Sequence, residues 1–162
     1  MKTRTLALAA LVALALVTGA VALSACGSSS DTASASSDVQ MIAPDAFKVA
    51  DYAGKPLVVN LFGSWCPPCN AEAPDLAAFA KDNPGAQVVG IACEDTEKDA
   101  VGFMNEYGLT YPLVVDDGSQ VSAFGISAFP TTIFFDAQGK EQERLVGAST
   151  LGQFNAALAK AQ

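Results

Sequence analysis

The segment that most restricts what this chain can fold into is Trp65-Cys66-Pro67-Pro68-Cys69, set between an apolar run and a helical pattern. Before it, Leu57-Val58-Val59-Asn60-Leu61-Phe62 is short, β-branched and nearly all apolar, as expected for a strand buried on both faces. After it, residues 70–81 have helical spacing, with Leu76, Phe79 and Ala80 on one face. Two cysteines separated by two residues can close a disulfide, because one helical turn brings both sulfurs within bonding distance. The strand–helix junction places Cys66 at the helix N-terminus, where free N–H groups and the helix dipole stabilise a thiolate. The thiolate is the attacking species in disulfide exchange, so Cys66 is the expected nucleophile and Cys69 the resolving thiol. Pro67 and Pro68 suit a first helical turn, where a missing N–H costs nothing, and they stiffen it.

Two other readings share this spelling. Half of a zinc site is one, and a purely structural disulfide is the other, although so short a loop restrains the unfolded chain little. The chain has four cysteines and no histidine. That composition removes Cys–His nucleophilic pairs and histidine-ligated zinc or haem, and a zinc site of cysteine alone takes four thiolates. Only three cysteines remain once Cys26 is assigned to the N-terminal lipobox-like motif described next. No metal or other cofactor is called for.

At the N-terminus, Lys2 and Arg4 precede an uncharged run from Leu6 to Leu23 that ends in small residues, the pattern of a secretory signal. The run also approaches the roughly 20 residues of a membrane-spanning anchor. Leu23-Ser24-Ala25-Cys26 resembles a bacterial lipobox, which makes residues 1–25 a lipoprotein signal peptide and Cys26 the lipidated residue. Either reading places the folded part outside the cytoplasm, held to the cell membrane. Residues 26–40, rich in Ser, Ala, Thr and Asp, read as a flexible tether. Without the first 25 residues the chain keeps 137, with a net charge of −10. So acidic a surface argues against nucleic acid and against electrostatic adhesion to anionic lipid.

The folded domain is expected over 41–162. Gln87–Ala92 reads as a second buried strand, 97–107 as an amphipathic helix, and 113–115 and 131–135 as further strands. Asp136-Ala137-Gln138-Gly139 is a hairpin turn, and 141–146 alternates like a strand with one solvated face. A helix over 150–159 closes the chain. The pattern predicts an α/β fold, a central mixed β-sheet flanked by helices on both faces.

The stretch from Val58 through Cys69 resembles the active-site strand and loop of TlpA/ResA-like extracytoplasmic thioredoxins, over roughly residues 45–160. Pro74 matches the proline inside the active-site helix of that family. Phe129-Pro130-Thr131-Thr132 matches its cis-proline loop, which faces the cysteines and pairs with substrate backbone. Gly147 matches the glycine before the last helix. The resemblance implies the thioredoxin fold and a substrate-binding rim of Trp65, Pro67, Pro68, Phe129 and Pro130, though Trp65 could equally be core and Pro130 an ordinary turn proline. Cytoplasmic thioredoxins carry a titrating aspartate at the position of Asn60. Here Glu72, one turn beyond Cys69, matches the acidic residue of cytochrome c maturation thioredoxins and is the candidate proton carrier, against the alternative of a solvated helix glutamate. Glu94, Asp95 and Asp99 are expected on a solvated face. Cys93 is expected to be a packed thiol, with a third redox role as the lesser reading.

The implied function is thiol–disulfide exchange with cysteine pairs of exported proteins, as a reductant fed by a membrane electron-relay protein. Residues 69–74 also look like secreted actinobacterial disulfide-forming thioredoxins, so the oxidising direction stands as the alternative. A peroxidase of the peroxiredoxin type lacks its threonine before the cysteine, a copper carrier lacks its histidine, and a purely binding lipoprotein leaves the CxxC unexplained. A monomer is expected.

Overall fold

A computed structural model of the chain describes residues 39–162. The predicted signal segment, Cys26 and most of the predicted tether lie outside the described residues. Of that tether, Val39 packs against the core and the carbonyl of Gln40 accepts from the N–H of Leu113 at 2.9 Å.

The elements are β1 (Met41–Ile42), β2 (Leu57–Phe62), α1 (Pro67–Asp82), β3 (Gln87–Ala92), α2 (Glu97–Glu106), β4 (Leu113–Val115), α3 (Ser119–Phe124), β5 (Thr131–Phe135), β6 (Glu141–Val146) and α4 (Leu151–Ala161). Two short 3-10 turns, Pro44–Ala46 and Val49–Tyr52, join β1 to β2. The sheet runs β1-β4-β3-β2-β5-β6. Strands β1, β4, β3 and β2 are mutually parallel, and β5 and β6 run antiparallel to their neighbours. Every residue of β2 is buried, because the strand is central and both of its faces are covered.

The alternation along β2 divides the core. Val58 and Phe62 face a layer built by α1, α2 and α4. Leu57, Val59 and Leu61 face Phe47, Val49 and Tyr52 of the 3-10 region and Val121 and Phe124 of α3. Phe79 of α1 is fully buried against Phe134 of β5 and Phe154 of α4, with ring centroids 6.1 and 5.6 Å away. Truncation of such a residue to alanine costs about 3–5 kcal/mol.

Local chemistry explains the ends of the elements. Thr150 closes a reciprocal capping box with Gln153, which starts α4 one residue later than its apolar spacing indicates. The β5–β6 turn needs a left-handed residue, supplied by Gly139 at φ +77°. Asp136 braces that turn by accepting from the N–H groups of Gln138 and Lys140. Two elements were not anticipated. β1 has only two residues, and α3 is a single short helix held by the carboxylate of Asp116, which accepts from the N–H groups of Gln120 and Val121.

Candidate active site

At the end of β2 the chain leaves the sheet through Gly63 and Ser64 and enters α1 at Cys66, the N-cap residue. Pro67 and Pro68 take the first two helical positions, as their fixed φ favours. Cys66 and Cys69 form a disulfide with Cα atoms 5.3 Å apart. The N–H of Cys69 points at Cys66 Sγ from 3.4 Å, so an unpaired donor at the helix N-terminus is aimed at the sulfur that would carry negative charge on reduction. Both cysteines are buried, while Pro67, Pro68 and Trp65 are exposed around them.

Three side chains hold the loop. Asn70 Nδ2 donates to the carbonyls of Ser64 and Cys66 at 2.9 and 2.8 Å, and its Oδ1 accepts from the Tyr107 hydroxyl at 3.0 Å. Asp95, expected on a solvated face, accepts from the N–H and hydroxyl of Ser64 at 2.6 and 2.8 Å. Trp65 Nε1 donates to the carbonyl of Glu94 at 3.1 Å, and Glu94 adopts φ +52° in the turn after β3. The indole lies across Gly63, where a Cβ would meet it at 2.7 Å. Glycine at 63 is therefore a matter of space rather than of backbone angle. With 53 % of its surface exposed and its edge against Phe129, the ring borders the disulfide instead of filling the core.

The Phe129–Pro130 peptide bond is cis. Pairing of Leu61 with Thr131 sets Pro130 beside the C-terminal end of β2, the end from which the chain runs on to the disulfide. The Pro130 carbonyl accepts from Gly147 N–H at 2.8 Å, and Gly147 sits at φ +88°, which ties the loop to the segment before α4.

Glu72 is not a solvated helix residue. It is 3 % exposed, on the α1 face that meets the sheet. Its Oε1 accepts from Asn60 Nδ2 at 2.9 Å and its Oε2 from Ser149 N–H at 3.0 Å. Asn60 Nδ2 also donates to Thr132 Oγ1 at 2.9 Å. Burial pushes the carboxyl up from its ordinary 4.5 to about 7, with a smaller push from Asp75, while the bonds from Ser149 and Asn60 pull the other way. A carboxyl with this proton affinity exchanges protons near neutral pH.

Cys93 directly follows β3 and packs on the opposite face of the sheet, fully buried among Val114, Ile91 and their neighbours. Burial, and then the nearby Asp116 and Glu94 charges, push its thiol up to about 12. A thiol so held is packed and inert. Among the described residues no group of three or more His, Cys, Asp or Glu side chains could hold a metal ion. No helix among them is long and apolar enough to cross a membrane.

The buried acceptors and donors around Glu72 come from distant segments: Asn60 on β2, Thr132 on β5, and Ser149 before α4. Sequence reasoning named Asn60 as a residue unable to titrate and Thr132 only as part of the cis-proline loop, and it missed Ser149 altogether. Their uncharged polar side chains carry no signal before the strands are paired.

Residues 36–143 match the AhpC/TSA family model. ResA from Bacillus thuringiensis (strain Al Hakam), a thiol–disulfide oxidoreductase, is 30% identical over 117 residues, covering 70% of this chain and 67% of that protein. ResA of Oceanobacillus iheyensis is 35% identical over 108 residues, covering 64% of this chain and 56% of the relative. Among solved structures, a secreted Mycobacterium tuberculosis disulfide oxidoreductase homologous to E. coli DsbE superimposes with a TM-score of 0.65. It is 29% identical and covers 70% of this chain and 87% of that one. A thioredoxin-fold sheet, a disulfide at the head of α1 and these relatives agree, and the chain belongs to the AhpC/TSA family as a TlpA/ResA-like thiol–disulfide oxidoreductase.

Proposed function

We propose that Cys66 and Cys69 exchange their disulfide with cysteine pairs of exported proteins, in the reducing direction, with Glu72 as the proton carrier. The observation that carries this reading is a buried carboxyl of raised proton affinity one helical turn beyond the helix-capping disulfide. In the forward cycle the Cys66 thiolate attacks a client disulfide, forming a mixed disulfide and releasing one client thiolate. Cys69 then gives its proton to Glu72 and attacks Cys66 Sγ, which releases the second client thiol and leaves the Cys66–Cys69 disulfide. Two electrons pass to the client, and a membrane electron-relay protein restores the dithiol. The rim of Trp65, Pro67, Pro68, Phe129 and Pro130 receives the client segment; its exposed members surround the buried sulfurs. The helix N-terminus and the Cys69 N–H support the Cys66 thiolate as attacker and leaving group.

Supported by Lys2, Arg4, the apolar run and Leu23-Ser24-Ala25-Cys26, the domain works outside the cytoplasm, lipid-anchored through Cys26 after removal of residues 1–25. The reducing direction rests on the likeness to ResA and on Glu72 standing where cytochrome c maturation thioredoxins carry an acid. The oxidising direction is the second reading, favoured by the likeness of Cys69-Asn70-Ala71-Glu72-Ala73-Pro74 to secreted actinobacterial disulfide-forming thioredoxins. A glutathione redox titration separates them. A potential near about −270 mV supports the reductant, and one near about −120 mV the oxidant. Insulin reduction by wild type and Cys66→Ser tests the exchange itself, and equal activity in both would refute it.

A further inference from the structure

Beside the disulfide, an open groove of about 530 Å³ lies between the active-site turn and α2. Trp65 and Asn70 line it from the turn, and Gly102, Phe103 and Glu106 line it from α2. The wall nearer the cysteines is fixed in advance. The Trp65 indole is bonded to the Glu94 carbonyl, and the Asn70 amide is held at both ends by Ser64, Cys66 and Tyr107. On the other wall Gly102 is the unexpected residue. It lies inside α2, its φ is outside the left-handed region, and a Cβ built on it would meet nothing within 4 Å. Neither backbone angle, as at Gly139, nor crowding, as at Gly63, calls for glycine there. Glycine is the poorest helix former after proline, so α2 gives up stability at a position where a side chain would fit. With no strain and no packing contact to explain it, the bare backbone is a feature of the groove itself.

We propose that this groove receives an extended, basic segment of the client polypeptide, next to the cysteine that Cys66 attacks, with Gly102 keeping the surface of α2 bare for it. The reading deepens the function proposed above and rests on it. Trp65 belongs both to the groove and to the exposed rim around the sulfurs, so a client chain whose cysteine sits on the rim continues into the groove. Phe103, stacked on Phe62 with ring centroids 4.6 Å apart, and the half-exposed indole offer apolar surface to side-chain stems. The turn and helix that border the groove carry Glu94, Asp95, Glu97, Asp99 and Glu106 against Lys98 alone. Asp95 accepts from Ser64 and Asp99 from the Thr96 hydroxyl, which leaves the charge of each in place. Lysine and arginine, with apolar stems and cationic ends, match such a surface, and acidic client segments are repelled from it. Because the wall is preformed, only the client segment has to be ordered on binding. Exchange passes through the same mixed disulfide in either direction, so the preference holds for reduction and for oxidation alike.

The test follows the reduced protein with three disulfides. One is a short peptide with an internal disulfide followed by lysines, and the second has glutamates in their place. The third is hydroxyethyl disulfide, too small to reach the groove from the sulfurs. Acid-quenched samples are read by mass spectrometry. Wild type should favour the lysine peptide over the glutamate peptide about tenfold in kcat/KM, with the gap narrowing at high salt. Gly102→Gln introduces a neutral side chain and a better helix former. It should lower kcat/KM for the lysine peptide about tenfold relative to hydroxyethyl disulfide, through KM, the loss of one good contact. Its melting temperature should rise by about 4 °C. Glu106→Gln should lower the preference for lysine about threefold, the scale of an exposed ion pair. Asp82→Asn removes the same charge at the far end of α1 and should leave the preference as it is. In Gly102→Gln, an unchanged peptide rate, an equal loss with hydroxyethyl disulfide, or a lower melting temperature would overturn the groove. Equal effects of Glu106→Gln and Asp82→Asn would reduce the preference to net charge and overturn it too. Failure of wild type to exchange with any of the three disulfides would instead overturn the function proposed above.

Discussion

Replacing Glu72 by glutamine should change how stability depends on pH, by an amount the structure supplies. The carboxyl is 3 % exposed, and burial raises it from 4.5 to about 7. In the unfolded chain it returns to its ordinary value. Between those two pH values the folded protein binds the proton that the unfolded chain has released, so stability falls as pH rises. The contribution is fully present below about pH 4.5 and is lost as pH climbs through about 7. The change in proton affinity is about 300-fold, which corresponds to about 3 kcal/mol. For a domain of this size that is about 12 °C in melting temperature. Glutamine keeps the shape but does not titrate. Its amide meets donors from both Asn60 and Ser149, so it brings a penalty of its own, and that penalty does not vary with pH. Urea melts of the oxidised wild type and Glu72→Gln, followed by circular dichroism at half-unit steps from pH 4.5 to 8, give two stability curves. Their difference should change by about 3 kcal/mol over the range, with wild type losing more as pH rises. Asp117, Asp136, Glu141 and Glu143 are held low by their hydrogen bonds and slope the opposite way, but they are common to both proteins and cancel. Parallel curves would refute the raised proton affinity of Glu72.

Cys69→Ser should leave Cys66 able to attack but nothing to resolve the product, so covalent complexes with disulfide-bearing clients should accumulate on non-reducing gels; Cys66→Ser should form none. Gly63→Ala places a Cβ 2.7 Å from the indole of Trp65 and should break its bond to Glu94, costing about 1–3 kcal/mol and red-shifting the emission of this single tryptophan. Cys93, buried and pushed up to about 12, should resist Ellman's reagent in the native protein and react on unfolding, as read by mass mapping of its peptide. Native labelling at the rate of a free thiol would contradict that burial.

The catalytic turn was legible because its signals are local. The run 57–62, the CxxC and the first-turn prolines lie within thirteen residues and state strand, turn and helix in order. β3, β4, β5 and β6 were readable for the same reason, each a short run bounded by turn residues. What escaped depends on chain segments far apart. α3 is six residues long, too short for a helical period to show. Asp95 looks like any loop acid until the turn after β3 is brought against Ser64, 31 residues away. The burial of Glu72 follows from Asn60 and from Ser149, 12 and 77 positions distant, and helical spacing alone leaves both the solvated and the buried reading open.

The two ends of the sheet bear on how the protein behaves in a crowd of its own copies. An edge strand offers unpaired backbone that another chain can extend into an aggregate. At one end β1 is only two residues long. At the other, β6 carries Glu141, Glu143 and Arg144, with Arg144 bonded to Glu141 at 2.8 Å and Lys160 of α4 paired with Glu143. One edge is too short to act as a template, and the other would have to bury charge to do so. Copies concentrated together can therefore meet edge to edge without joining their sheets.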